Sequence, residues 1–93
     1  TGTYEGDGSD ERTITLGFQP KALYLCNQNG MAGYIEGYYY TYGGLVLPNH
    51  PIIDYRHNNA VAVEIISTGF RLYRSDYRLA NEPNWTYFYL ALR

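Results

Sequence analysis

The last nine residues, Trp85-Thr86-Tyr87-Phe88-Tyr89-Leu90-Ala91-Leu92-Arg93, leave this chain few ways to fold. At a period of two, one face carries Trp85, Tyr87, Tyr89 and Ala91, and the other Thr86, Phe88, Leu90 and Leu92. A strand with one wet face alternates apolar with polar residues, and this one is apolar or aromatic on both. The pattern predicts a central strand covered on both sides, by another sheet or by a neighbouring subunit. Its aromatic content and shortness argue against a helix. A chain end this apolar must be tied into a core, with Arg93 alone suited to water.

At 93 residues the chain predicts one domain spanning residues 1–93, near the lower size limit for folding on a single core. Thr1-Gly2-Thr3 carries no initiator Met and no signal-peptide pattern, so the chain reads as a fragment or a processed product of a longer protein. A net charge of −2 supplies no basic footprint for nucleic acid or an anionic membrane, and no apolar run is long enough for membrane insertion as a helix. Cys26 is the single cysteine and cannot form an internal disulfide. Tyrosine is the outlier, at 12 residues beside 10 glycines. That pairing suits crowded β-sheets with tight turns, the commoner case, or binding surfaces that carry rigid rings on adaptable loops.

Short strands with turn signals between them run the length of the chain. Thr3-Tyr4-Glu5 is a first short strand, and Gly6 to Glu11 a turn-rich acidic loop. Arg12 to Phe18 alternates, with Ile14, Leu16 and Phe18 inward and Thr13 and Thr15 outward, until Pro20 ends it. Ala22 to Cys26 follows, closed by the polar turn Asn27-Gln28-Asn29-Gly30. Tyr34 to Tyr42 suits either a strand with a tyrosine ladder or an aromatic loop. Leu45-Val46-Leu47 is stopped by Pro48-Asn49-His50-Pro51. Ala60 to Ile66 is a strand with Val61, Val63 and Ile65 on one face and Glu64 with the alanines on the other. Ser67-Thr68-Gly69 turns it back into Phe70 to Arg74, Phe70 and Leu72 inward. Ser75 to Asn84 is a polar excursion. Apolar residues nowhere recur at helical spacing over three turns. The expectation is an all-β fold: a small antiparallel β-sandwich, jelly-roll-like, of seven to nine short strands with almost no helix.

Several short motifs, in order, resemble a domain of phage and prophage tail-associated proteins, whether tail fibre, baseplate or minor structural components. They are Thr1-Gly2-Thr3-Tyr4 with Gly6-Asp7-Gly8, Arg12-Thr13-Ile14, and Leu16-Gly17-Phe18-Gln19-Pro20-Lys21-Ala22. Gly43-Gly44-Leu45, Thr68-Gly69-Phe70-Arg71-Leu72 and Tyr87-Phe88-Tyr89-Leu90-Ala91-Leu92-Arg93 complete the match. The resemblance implies the C-terminal module of a longer viral structural protein, carried on a virion or encoded by a prophage and extracellular once assembled. It also implies a homo-oligomer, with a homotrimer favoured and Tyr87, Tyr89 or Phe88 near the contact. It brings no catalytic motif with it.

The residues themselves offer little chemistry of their own. Asp7, Ser9, Asp10 and Glu11 hold oxygens a calcium ion would accept, but not at the spacing of a calcium loop. His50, Asp54 and His57 cluster in sequence without a fourth ligand. Cys26 sits mid-strand in apolar surroundings, where a buried, inert thiol is the expectation. Ser9, Ser67 and Ser75 lack a nucleophile elbow, and nothing supports paired catalysis by Glu36, Asp54, Glu64 or Asp76. The reading is therefore no enzyme, no metal and no cofactor. What remains is a tyrosine-rich surface of Tyr34, Tyr38, Tyr39, Tyr40 and Tyr42, with Trp85. Such rings stack on sugars and anchor protein contacts, so the expected partner is a host cell-surface glycan or protein. The alternative is a purely structural module that caps or assembles a fibre without a ligand.

Overall fold

The computed structural model describes residues 1–30, 32–35, 39–41, 43–54, 60–73 and 80–93, with the backbone alone for residues 34, 35, 39–41 and 54. Ten strands lie in them: β1 (Gly2–Glu5), β2 (Glu11–Thr15), β3 (Ala22–Asn27), β4 (Gly33–Ile35), β5 (Tyr39–Thr41), β6 (Gly44–Val46), β7 (Ile52–Asp54), β8 (Ala60–Ile66), β9 (Gly69–Tyr73) and β10 (Thr86–Leu92). No helix occurs among the described residues. Eight strands form two four-stranded antiparallel sheets, ordered β1-β10-β3-β6 and β2-β9-β8-β7, and β4 pairs with β5 apart from both. The protein is a small all-β sandwich. The two ends of the chain pair as a jelly-roll wrap would have them, β1 with β10 and β2 with β9, while β7, β8 and β9 run on as a meander.

The core lies between the sheets, and the period-two pattern accounts for most of it. Leu23 and Leu25 of β3, Val46 of β6, Phe70 and Leu72 of β9 and Tyr87 of β10 are fully buried. Tyr4 and Tyr87 face each other across β1 and β10, their rings stacked 5.1 Å apart, and Phe70 packs a tilted ring on Tyr4 at 6.0 Å. Burying a ring of this size contributes roughly 2–3 kcal/mol, so these three aromatics carry a large share of the cohesion.

The β8–β9 hairpin forms as expected, turning at Ser67-Thr68 with Ile66 opposite Gly69. Gly69 is required by a close approach: a Cβ there would lie 2.1 Å from the Ile14 carbonyl oxygen of β2. Two expectations need correction. Strand β2 ends at Thr15, because the N–H groups of Leu16 and Gly17 both turn to the Thr68 carbonyl, at 2.8 and 3.1 Å. Phe18 therefore lies beyond the strand, where the Arg93 guanidinium covers its ring at 4.7 Å. In β8, Ile52 pairs with Val63 but Ile53 with Val61, so Ala62 is the extra residue of a β-bulge. Ala62 and Val63 consequently bury their side chains in the same core, which strict alternation over Ala60 to Ile66 forbids. Strand β7 follows Pro51 directly, hidden in the sequence by its three-residue length.

Candidate functional site

Strand β10 is central, as its sequence demands, between β1 and β3. Among the described residues, cover lies on one of its faces alone. Tyr87 is fully buried and Tyr89 and Ala91 pack against the core, whereas Phe88, Leu90 and Leu92 point outward. The expectation of cover on both sides thus fails within one chain. Tyr87, inside the sandwich, cannot lie at a contact between subunits, whereas Phe88 can.

Outward side chains of neighbouring strands extend this surface. Cross-strand partners are Phe88 with Cys26 and with Thr3, Leu90 with Tyr24, and Tyr24 with Leu45. Exposure is 46 % for Tyr24, 60 % for Leu45, 45 % for Phe88, 47 % for Leu90 and 52 % for Leu92. Soluble proteins rarely leave so many adjoining large apolar groups in water. A groove of about 390 Å³ runs along Thr1, Thr3, Cys26 and Phe88 to the Tyr24–Leu90 pair. On the other side of that pair a smaller hollow of about 80 Å³ is bordered by Ala22, Leu45 and Leu92. Cys26 is only partly buried and lines the larger groove, which corrects the expectation of a buried thiol. Outward parity explains it: Leu23 and Leu25 take the core side of β3, so Cys26 cannot.

A second cluster, unforeseen in the sequence, holds the acidic loop to the chain before β10. Asn81 is fully buried. Its Oδ1 accepts from the Asp7 N–H (3.2 Å) and Arg12 Nη1 (3.1 Å), and its Nδ2 donates to Asp7 Oδ1 (2.7 Å) and Ser9 Oγ (3.2 Å). Asp7 Oδ1 also accepts from the Ser9 N–H and hydroxyl, at 2.9 and 2.7 Å. These Ser9 hydrogen bonds first, then Asn81 and Arg12, hold the Asp7 carboxyl down to about 2. Arg12 further donates to the Glu5 carbonyl and sits 5.4 Å over the Tyr4 ring. Tyr4 completes the tie by donating to the Ala80 carbonyl at 2.6 Å, and burial, its largest influence, pushes that hydroxyl far above the ordinary phenol range. The cluster is a structural clasp, since each of these groups is spent on another. Gly6, where a Cβ would lie 2.0 Å from the Glu82 carbonyl oxygen, is the sequence's one hint of it.

The candidate ligand residues are placed as follows. Tyr34 lies in β4 and Tyr39 and Tyr40 in β5, with Tyr34 opposite Tyr40 and Ile35 opposite Tyr39, so this part of the run is a hairpin rather than one long strand. Tyr38 and Tyr42 lie outside the described residues, as do Glu36, His57 and Asp76. Trp85 lies just before β10, partly buried against the core, its carbonyl accepting from the Gly6 N–H at 2.8 Å. His50 is exposed on the tight turn from Leu47. Among the described residues no three His, Cys, Asp or Glu side chains converge as metal ligands. No helix there is long and apolar enough to cross a membrane. Comparison with protein-family models, with curated proteins and with solved structures finds no match to this chain.

Proposed function

We propose that this chain is a non-catalytic structural or adhesion module of a phage or prophage tail, acting outside the cell on the assembled virion. It joins copies of itself as a homo-oligomer. It meets a host cell-surface glycan or protein through its tyrosine-rich segment. The observation that carries the adhesive part is the β4–β5 hairpin. It pairs with neither sheet of the sandwich and brings Tyr34, Tyr39 and Tyr40 into one short element. Tyrosine rings stack on sugar faces and fill protein pockets.

The test is binding of the isolated domain to a panel of bacterial cells and to a glycan array. Tyr39→Ala and Tyr40→Ala should each weaken binding about tenfold, the loss of roughly 1.4 kcal/mol per ring, with circular dichroism unchanged. Absence of binding to any host-derived material would count against adhesion. The purely structural alternative is favoured by the apolar outer face of β10 and its neighbours. On that reading the same two substitutions leave host binding intact and disturb fibre assembly instead.

A further inference from the structure

We propose that the outer face of the sheet β1-β10-β3-β6 is where one copy of this chain docks on another, face to face. This rests on the self-assembly proposed above and names its surface, which that reading left open. Three observations select a second copy as the occupant. First, the four strands contain a single charged residue, Glu5, at the far end of the edge strand. A partner recognised by charge finds nothing here to grip, whereas two such faces approach each other without like-charge repulsion. Second, the face carries its own complement in relief. Tyr24 and Leu90, cross-strand partners, border both the larger groove and the smaller hollow, so ridge and recess adjoin on one surface. An isologous contact needs that, because each copy must offer both the knob and the hole.

Third, the dimensions fit. Strands β1, β10, β3 and β6 hold 4, 7, 6 and 3 residues, which at about 3.3 Å along and about 4.8 Å across make a face of roughly 300 Å² in plan. Side-chain relief raises this, so two apposed faces bury about 1,000 Å², the lower bound for a specific interface. Aligned sheets pack about 10 Å apart with their side chains interdigitated, and Phe88, Leu90 and Leu92 then lie in a dry seam. An interface near that lower bound belongs with the weaker, transient contacts, so association is to be sought at micromolar protein.

Cys26 provides the gauge, because it lies in the groove that the second copy would cover. Light scattering after size exclusion, together with the rate of Cys26 labelling by a water-soluble disulfide reagent, should be followed from low to high micromolar protein. The expected result is a mass rising from 10.7 kDa towards that of two copies, with labelling slowed roughly tenfold at the top of the range. Leu90→Lys and Leu45→Lys should hold the chain at one copy with fast labelling at every concentration. Thr15→Lys, which places the same charge on the other sheet, should assemble like the parent.

A parent chain that stays at 10.7 kDa with freely reactive Cys26 would overturn both this inference and the self-assembly on which it rests. Assembly that survives both lysines, with Cys26 reactive throughout, would leave self-assembly standing and remove this face from it. Should the lysine variants fail to fold, the concentration dependence of labelling in the parent chain decides alone.

Discussion

The two sheets have the same number of strands and opposite outer faces. The strands of β2-β9-β8-β7 include Glu11, Arg12, Asp54, Glu64 and Arg71, whereas those of β1-β10-β3-β6 include only Glu5. On the outside of the second sheet Arg71 lies across from Glu64 and Thr13, its Nε 3.3 Å from Glu11 and its Nη1 3.7 Å from Glu64. The Tyr73 hydroxyl donates to Glu64 at 2.6 Å, and desolvation, then that bond, raises its proton affinity above the ordinary phenol. Cross-strand polar pairs of this kind finish a face for water. On the other sheet, among the described residues, Glu5 across from Thr86 at one end is the polar pair, and the face otherwise presents Tyr24, Leu45, Phe88, Leu90 and Leu92. Two sheets can therefore share one core while one is finished for water and the other left for a partner.

The largest test of this contrast lies within β10. Tyr87→Ala removes a fully buried ring stacked on Tyr4, along with the acceptor for the Glu82 N–H, and should cost about 3–5 kcal/mol in urea unfolding. Phe88→Ala, one residue along, should cost under about 1 kcal/mol in dilute protein, because its ring already meets water. Equal costs for the two would mean that the strand does not have the sides described.

Asn81→Ala comes next, at about 1–3 kcal/mol, since it strands the Asp7 N–H and removes a partner of Arg12 at a buried site. Its effect should be the same in dilute and concentrated protein. A loss that grows on concentration would tie the clasp to assembly rather than to the fold.

On the polar face the expected effects are small. Arg71→Ala should cost under about 1 kcal/mol and lose much of its effect in high salt, because these pairs are partly open to solvent. A salt-insensitive loss several times greater would show that face to be built for more than solvation.

The smallest effect is a pH dependence. Asp7 is held below its ordinary 3.8 at about 2, so the stability it adds is present above pH 4 and disappears as pH falls towards 2. The melting temperature should decline more steeply across that window in the parent than in Asp7→Asn. Parallel curves for the two would remove Asp7 from the clasp's energetics.

The strands themselves were legible because a strand's period of two is local geometry, written in six or seven consecutive residues. That determined the all-β class, the inward side of Ile14, Phe70 and Leu72, the β8–β9 turn and the interior position of β10. The tertiary structure decided what depends on distant pairing. Which apolar side of β10 meets the other sheet follows from its register against β1 and β3, Tyr87 opposite Tyr4 and Leu90 opposite Tyr24, and no local pattern carries that choice. The bulge that buries Ala62 beside Val63 exists only against β7. Asn81 reads as a solvated residue in a polar stretch, and is buried because a loop more than seventy residues earlier supplies its partners. A single chain's periodicity marks which residues avoid water; only the packed sheets show which of them this chain leaves in it.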